Sequence, residues 1–178
     1  MKKILIIVGG VIIVIVLIWL LVPKNQDLPQ TNIIADKPTK FNKAPDFSLP
    51  DYQEKTVSLA DFKGKPVMLN SWAVWCPFCV KELEDFAILQ QELGDQIAIV
   101  AINRAESLNQ VKKYTDDLGL TDKLIFLLDR KDSFYRSIGG FSMPETIFVD
   151  SAGNTVFHKR GPMRFDEIKQ KINELFAI

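Results

Sequence analysis

The strongest hydrophobic pattern in the sequence is a long apolar run close to its start. Ile4 to Val22 is an uncharged stretch of 19 residues in which every residue is apolar or glycine. At about 1.5 Å per residue, a helix of this length spans roughly 29 Å, close to the thickness of the hydrocarbon core of a bilayer. Residues 1–22 are therefore predicted to form one N-terminal transmembrane helix.

The flanks of this run favour a retained anchor over a cleaved signal peptide. A signal peptide has a shorter apolar core, of about 7–15 residues, followed by small residues at the cleavage site. Here the run leads into Pro23-Lys24-Asn25 without such a site. Lys2 and Lys3 precede the run, so the positive-inside rule predicts a cytoplasmic N-terminus and an extracytoplasmic remainder.

Beyond the anchor, the pattern changes twice. Residues 23–43 are polar and carry three prolines, which predicts an extended linker. From residue 44 to residue 178, short apolar runs rich in Val, Ile and Phe alternate with stretches of helical periodicity, which predicts a folded domain. The predicted strands are Val67–Trp72, Ile97–Ile102, Leu124–Leu128, Thr146–Val149 and Thr155–Phe157.

Apolar residues spaced three and four apart predict three helices between and after these strands. The predicted helices carry Leu83, Phe86, Ala87 and Leu93 in the first, Leu108, Val111, Tyr114 and Leu118 in the second, and Phe165, Ile168, Ile172 and Leu175 in the third. Ser107 and Gln110 have the spacing of a capping box at the start of the second helix, and residues 151–154 have the composition of a hairpin turn. The order of elements predicts an α/β domain with a central mixed β-sheet flanked by helices.

Composition removes several classes of function. Lys and Arg together number 22, as do Asp and Glu, so the chain lacks the basic excess of a nucleic-acid-binding protein. Two cysteines are too few for a scaffold held by several disulfides, and one histidine excludes a site built from several histidines.

Both cysteines lie in one motif, Trp75-Cys76-Pro77-Phe78-Cys79, between a predicted strand and a predicted helix. A thiol at a helix N-terminus lies beside free backbone N–H groups and the positive end of the helix dipole, which favour the thiolate. Cys76, at the exposed end, is predicted to attack a substrate disulfide, and Cys79, one turn into the helix, to resolve the mixed disulfide.

Three segments carry a resemblance to a known family: Ala44 to Leu49, Ser58 to Lys65, and Leu69 to Cys76. Together they resemble the thioredoxin-like proteins of the TlpA/ResA type, within the Redoxin superfamily, over about residues 44–178. The resemblance implies a thioredoxin fold, a membrane-anchored extracytoplasmic thiol–disulfide oxidoreductase, and protein thiols or disulfides as substrates. It also implies a membrane or exported redox partner and no bound cofactor beyond a redox-active disulfide.

The resemblance also implies roles for residues outside the cysteine motif. Residues 140–146 are similar to the family's loop with a cis-proline, so Met143 is expected to offer its backbone to a substrate and Pro144 to keep other ligands off the sulfurs. Trp75, directly before Cys76, is expected to shape the substrate surface. Glu82 matches an acidic residue near the site in ResA-type proteins, and two interpretations stay open for it: a carrier of the Cys79 proton, or an exposed acid in the first helical turns.

Two departures from the family pattern bear on the chemistry. Asn70 stands where ordinary thioredoxins have a buried Asp, so that proton acceptor is missing. Phe78 replaces the proline or histidine common before the second cysteine and cannot donate a hydrogen bond to a thiolate. The family resemblance and Glu82 favour reduction of disulfides, whereas oxidation of exported proteins uses the same motif and stays open.

Other interpretations of the motif are weaker. Zinc needs about four ligands, and only His158 and carboxylates remain besides the cysteines, so no metal site is predicted. Copper-delivery proteins of related type space their cysteines three residues apart rather than two, and a purely structural disulfide across so short a loop adds little stability. His158 is interpreted as a residue on the strand surface, and Arg104 and Glu106 as solvated.

Overall fold

Five strands form the central sheet of the computed structural model, which describes residues 43–178. Their order across the sheet is β5-β4-β3-β6-β7, and β3, β4 and β5 are parallel while β6 and β7 run antiparallel to them. The strands of this sheet are β3 (Val67–Trp72), β4 (Ala98–Arg104), β5 (Ile125–Asp129), β6 (Glu145–Val149) and β7 (Thr155–Arg160). Two short strands that precede them, β1 (Ser48–Pro50) and β2 (Thr56–Ser58), form a separate antiparallel pair.

Four α-helices complete the fold. They are α1 (Pro77–Leu93), α2 (Leu108–Asp117), α3 (Ser133–Ser137) and α4 (Phe165–Phe176). Short 3₁₀ turns occur at Leu59–Phe62 and Gly94–Gln96. At the start of α2 the Ser107 side chain accepts a hydrogen bond from the backbone nitrogen of Gln110, the N-cap contact that the capping-box spacing predicts.

The core lies on both faces of the sheet because successive side chains of a strand point to opposite faces. On β3, Met68 and Trp72 belong to the cluster that packs against α1, α2 and α4. Val67 and Leu69 belong to a second cluster, which includes Phe134 of α3 and the segment before β2. A strand buried on both faces is apolar almost throughout, which is why its sequence lacks alternation.

The structure confirms the predicted strand and helix order of the domain. The strand Val67–Trp72 matches its predicted bounds, and the other four shift by a few residues at their ends. The pair β1–β2 and the five-residue helix α3 escaped prediction, because elements this short contain too few residues to show a period.

The predicted anchor, residues 1–22, lies outside the described residues. The same holds for the predicted linker, residues 23–43, of which the structure describes Lys43 alone. Within residues 43–178, no helix combines the length and the apolar composition needed to cross a membrane.

Candidate active site

The two cysteines lie at the N-terminus of α1, where the sequence predicts them. Cys76 is the N-cap residue, and its Sγ accepts a hydrogen bond from the backbone nitrogen of Cys79 at 3.2 Å. Pro77 occupies the first helical position, where a missing N–H leaves no helical hydrogen bond unmade. A disulfide joins the two cysteines, whose Cα atoms are 5.3 Å apart. The pair is therefore placed where a helix terminus favours negative charge on sulfur.

Exposure distinguishes the two cysteines. Cys76 is 3% exposed and Cys79 is fully buried at 0%. Both cysteines are therefore largely buried in the disulfide form, and only Cys76 keeps any exposed surface. The roles that the motif predicts, Cys76 as the attacking thiol and Cys79 as the resolving thiol, stay predictions.

The proline loop lies at the same edge of the sheet as the cysteine motif. β3 and β6 are antiparallel neighbours with Ser71 opposite Glu145. Because the two strands are antiparallel, the end of β3, which leads to Cys76, lies beside the start of β6, which follows Pro144. The cysteine loop and the proline loop therefore lie next to each other. The peptide bond between Met143 and Pro144 is cis, as the resemblance implies. The Met143 side chain packs against the core cluster that contains both cysteines.

A buried carboxylate that the sequence interpretation missed holds the proline loop. Glu145 is fully buried, and its Oε1 accepts hydrogen bonds from the backbone nitrogens of Phe141 at 2.8 Å and Ser142 at 2.9 Å. Its Oε2 lies 2.8 Å from Nε2 of His158 on β7. His158 is thus not a free surface residue, and it reaches Glu145 diagonally, because Arg160 is the residue directly opposite.

The signal for Glu145 is present in the sequence. A single acidic residue opens an otherwise uncharged strand, Glu145–Val149, directly after the proline. A charge on a strand buried on both faces requires partners. Which residues of β7 face Glu145 depends also on a β-bulge at Phe148 and Val149, which the hairpin turn at residues 151–154 does not reveal.

Tyr135 of α3 holds the other side of the same loop. Its hydroxyl donates to the carbonyl oxygen of Ser142 at 2.8 Å, and the guanidinium of Arg104 lies 3.3 Å from the centre of its ring. A Cβ on Gly140 would meet this ring at 2.4 Å, so only glycine fits at that position. Gly140 is needed for this close approach, whereas Gly139 has the left-handed backbone (φ +66°) that suits glycine.

Glu82 lies one helical turn after Cys79 and is buried, with 1% of its surface exposed. Its Oε1 accepts a hydrogen bond from the backbone nitrogen of Met163 at 2.6 Å, and its Oε2 has no hydrogen-bond partner among residues 43–178. Burial raises the pKa of Glu82 to about 8, although the Met163 hydrogen bond and the charge of Lys159 act in the opposite direction. The interpretation of Glu82 as an exposed acid is therefore wrong, and the residue titrates close to neutral pH.

Asn70 is buried on β3 and contributes no proton acceptor of the carboxylate kind. Its Nδ2 donates to Oγ1 of Thr146, the residue opposite it on β6, at 2.9 Å. The amide cross-links the two strands that carry the cysteine and proline loops.

Three large aromatic side chains of the cysteine motif and the proline loop are exposed to solvent. Trp75 is 63% exposed, Phe78 64% and Phe141 75%. The guanidinium of Arg160 lies 4.7 Å from the centre of the Phe141 ring. Exposed apolar groups gathered near a reactive pair are typical of a surface that contacts another protein. Trp75 is thus exposed directly before Cys76, and Phe141 is a further exposed aromatic residue that the sequence interpretation did not single out.

Two residues interpreted as solvated make specific contacts. Arg104 donates from Nε and Nη2 to the two carboxylate oxygens of Asp132, at 2.7 Å and 2.6 Å. Glu106 accepts a hydrogen bond from the backbone nitrogen of Val74, in the loop before Cys76, at 2.9 Å. In the part of the chain that the structure describes, no group of three or more His, Cys, Asp or Glu residues could hold a metal ion.

Comparison with known proteins places this arrangement among thiol–disulfide proteins. A family model described as Redoxin matches residues 39–172. The chain is 36% identical over 133 residues to Thioredoxin-like protein YneN of Bacillus subtilis, covering 73% of this chain and 76% of that protein. It is 32% identical over 136 residues to Thiol-disulfide oxidoreductase ResA of Geobacillus thermodenitrificans, covering 74% and 75% respectively.

A solved structure shows the same fold. The pneumococcal exposed lipoprotein thioredoxin Etrx1 of Streptococcus pneumoniae has a TM-score of 0.67 and 31% sequence identity to this chain. The match covers 74% of this chain and 100% of that one. This likeness confirms the predicted thioredoxin fold of the domain.

Proposed function

Since the chain belongs to the Redoxin family and is a thiol–disulfide oxidoreductase of the TlpA/ResA type, we propose that it reduces disulfides of proteins outside the cytoplasm. The burial of Glu82 beside the cysteine pair carries the proposed direction. The location follows from the predicted anchor at residues 1–22, which holds the domain at the membrane.

The proposed reaction runs in two exchange steps. The thiolate of reduced Cys76 attacks one sulfur of a substrate disulfide, forming a mixed disulfide and releasing the other substrate sulfur as a thiolate, which takes up a proton. Cys79 then loses its proton, and its thiolate attacks Sγ of Cys76. The Cys76–Cys79 disulfide forms, the second substrate thiol leaves, and two electrons have passed from the domain to the substrate.

Glu82 supports the reducing direction through electrostatics. A dithiol becomes a strong oxidant in its disulfide form when the thiolate of the reduced form is stabilised. Here Cys79 is fully buried and Glu82 lies one turn beyond it, so both desolvation and a neighbouring acid disfavour a thiolate at Cys79. The helix terminus can stabilise a thiolate at Cys76, but Cys79 adds no stabilisation from charge to the reduced form, and this favours the pair as an electron donor.

Glu82 also suits the second step as a proton carrier. With a pKa of about 8, Glu82 exchanges protons readily near neutral pH, and no group within the described residues forms a hydrogen bond with its Oε2. We assign it the proton that Cys79 must lose to resolve the mixed disulfide. Trp75, Met143 and Pro144 form the surface on which the substrate docks.

Location and partners are supported by the sequence and by one relative. Lys2 and Lys3 precede the apolar run, which by the positive-inside rule exports the domain. The pneumococcal relative is described as an exposed lipoprotein, which supports work outside the cytoplasm. A membrane or exported redox partner would return electrons to the Cys76–Cys79 pair, and the reaction needs no bound cofactor.

The reduction potential tests the direction. The protein is equilibrated with glutathione or dithiothreitol buffers of known potential, and the redox state is followed through the fluorescence of Trp75 beside Cys76. A value near about −250 mV or lower is expected for a reductant. A value near about −120 mV would make the protein an oxidant of exported proteins instead.

A further inference from the structure

A carboxylate outside the cysteine motif contacts the loop that leads to the nucleophile. Glu106 lies in the connection between β4 and α2, and its Oε2 accepts the hydrogen bond of the Val74 backbone nitrogen at 2.9 Å. We propose that Glu106 is a positioning residue for thiol–disulfide exchange, which fixes the loop of residues 73–75 and through it the attacking sulfur of Cys76. The inference rests on the exchange chemistry of the proposed function, in either direction.

The loop before Cys76 needs such a contact. Residues 73–75 lie between the end of β3 and the start of α1, so Val74 has no strand or helix partner for its N–H group. The backbone nitrogen of Cys76 donates to the carbonyl oxygen of Ala73 at 3.1 Å, which closes a tight turn across Val74 and Trp75. The Glu106 contact fixes the middle of this turn, so the turn is held at two points.

Glu106 is itself held in place. Nδ2 of Asn103 donates to Oε2 at 2.7 Å, and Nε2 of Gln110 donates to Oε1 at 3.1 Å. Asn103 is buried at the end of β4, opposite Trp72 at the end of β3. The carboxylate is therefore fixed to the sheet on one side and to the first turn of α2 on the other.

The backbone next to Glu106 also has an unusual conformation. Ala105 adopts a left-handed conformation (φ +53°), which is uncommon for a residue with a side chain. Its nitrogen donates to the carbonyl oxygen of Asp129 at 3.0 Å, which secures that conformation. The turn brings Glu106 back toward the cysteine loop instead of continuing along β4.

Fixing this loop matters for exchange because the reacting sulfurs must be aligned. A displacement of about 1 Å of a reacting group can reduce a rate by about a hundredfold. Loss of the Val74 contact would free the turn that ends at Cys76, while the disulfide and the helix would remain. The effect is expected on the rate of exchange rather than on the ionisation of the thiols.

Two substitutions separate the hydrogen bond from the charge. Glu106→Gln keeps the length of the side chain and an acceptor oxygen for Val74 but removes the charge. Gln110 can rotate its side-chain amide so that its oxygen accepts a hydrogen bond from the new amide nitrogen. Glu106→Asp keeps the charge but is one methylene too short to reach Val74. Asn109→Ala, at an exposed position in the same helical turn, is the matched control.

The experiment uses the full-length chain purified in detergent, with a glutathione disulfide labelled with a self-quenching dye as the probe. The rate constant is measured from pH 5 to 10 for the reduced protein, normalised to the folded fraction by circular dichroism. The rate constant at the high-pH plateau reports how well the Cys76 sulfur is positioned. The pH at which the rate constant reaches half of its plateau value reports the ionisation of the thiol. Amide exchange of Val74 provides a second measurement that does not depend on activity.

We expect Glu106→Asp to lower the plateau rate about tenfold with an unchanged midpoint, and to make the Val74 amide hydrogen exchange faster. The plateau rates of Glu106→Gln and Asn109→Ala should stay within about twofold of the wild type. Equal plateau rates for the Asp variant and the wild type would overturn the proposal, as would a Gln variant as slow as the Asp variant. Either result leaves the direction of the proposed function untouched, since the reduction potential alone decides it.

Discussion

The carboxylate Oε1 of Glu82 and the backbone nitrogen of Met163 are 2.6 Å apart, although 81 positions separate them in the sequence. This hydrogen bond ties α1 to the segment before α4, within the core cluster that contains both cysteines. Oε2 of the same carboxylate is buried and has no hydrogen-bond partner in the part of the chain that the structure describes. One acid thus combines a structural contact with a free oxygen close to the redox pair.

Glu82→Gln should change how stability depends on pH. The pKa of Glu82 is about 8 in the folded protein, against 4.5 for an ordinary Glu, so the folded state binds more protons than the unfolded state between these values. Its contribution to stability is complete below about pH 4.5 and is lost as the pH rises through about 8. Urea denaturation of the oxidised wild type should show a fall of about 3 kcal/mol from pH 5 to 8 that is absent in Glu82→Gln.

Glu84→Gln is the matched control for this experiment, because Glu84 lies on the exposed side of the same helix. Its pH profile should follow that of the wild type. A wild-type profile that is flat, or that rises between pH 5 and 8, would show that Glu82 is ionised in the folded protein.

Glu145→Ala should loosen the proline loop. The substitution leaves the backbone nitrogens of Phe141 and Ser142 without their acceptor and removes the partner of His158. These contacts are part-buried, and each hydrogen bond lost costs about 1 kcal/mol, so we expect a loss of about 3 kcal/mol in the free energy of unfolding. Glu145→Gln keeps an acceptor oxygen for the two nitrogens and should lose less than half as much. Equal losses for the two variants would contradict the assignment of these hydrogen bonds.

Phe141→Ser should weaken substrate binding without affecting stability, because 75% of the Phe141 surface is exposed. At low peptide concentration, the wild type should reduce a peptide disulfide flanked by aromatic residues about fivefold faster than a peptide disulfide flanked by serines. The variant should lose this preference while its midpoint of thermal unfolding stays within about 1 °C. Ile88→Ser, which changes another exposed apolar residue, should keep the preference. A preference retained by Phe141→Ser would place the substrate surface elsewhere.

The features that depend on local order were predictable from the sequence. The strand Val67–Trp72, the place of the cysteine motif between that strand and a helix, and the hairpin at residues 151–154 each follow from residues that are neighbours along the chain. The cis-proline at Pro144 and the disulfide pairing also follow, the first from the family resemblance and the second from the presence of only two cysteines.

The contacts made by Glu82 and Glu106 were not predictable in the same way. Glu82 and Glu106 look like ordinary charged residues in the sequence, because helix starts and strand ends often carry exposed acids. Their partners, such as Met163 for Glu82, become neighbours only when the sheet register and the helix packing are known. A hydrophobic pattern identifies elements, whereas the polar contacts between elements depend on their placement.

The order of attack by the two cysteines is the central claim, and trapping of mixed disulfides tests it most directly. Cys79→Ser leaves Cys76 able to attack a substrate disulfide but removes the thiol that resolves the adduct. The full-length variant should therefore accumulate adducts with exported proteins that dithiothreitol releases, visible on non-reducing gels, whereas Cys76→Ser and the double variant should accumulate none. Adducts that form equally with Cys76→Ser, or that fail to form with Cys79→Ser, would contradict the account.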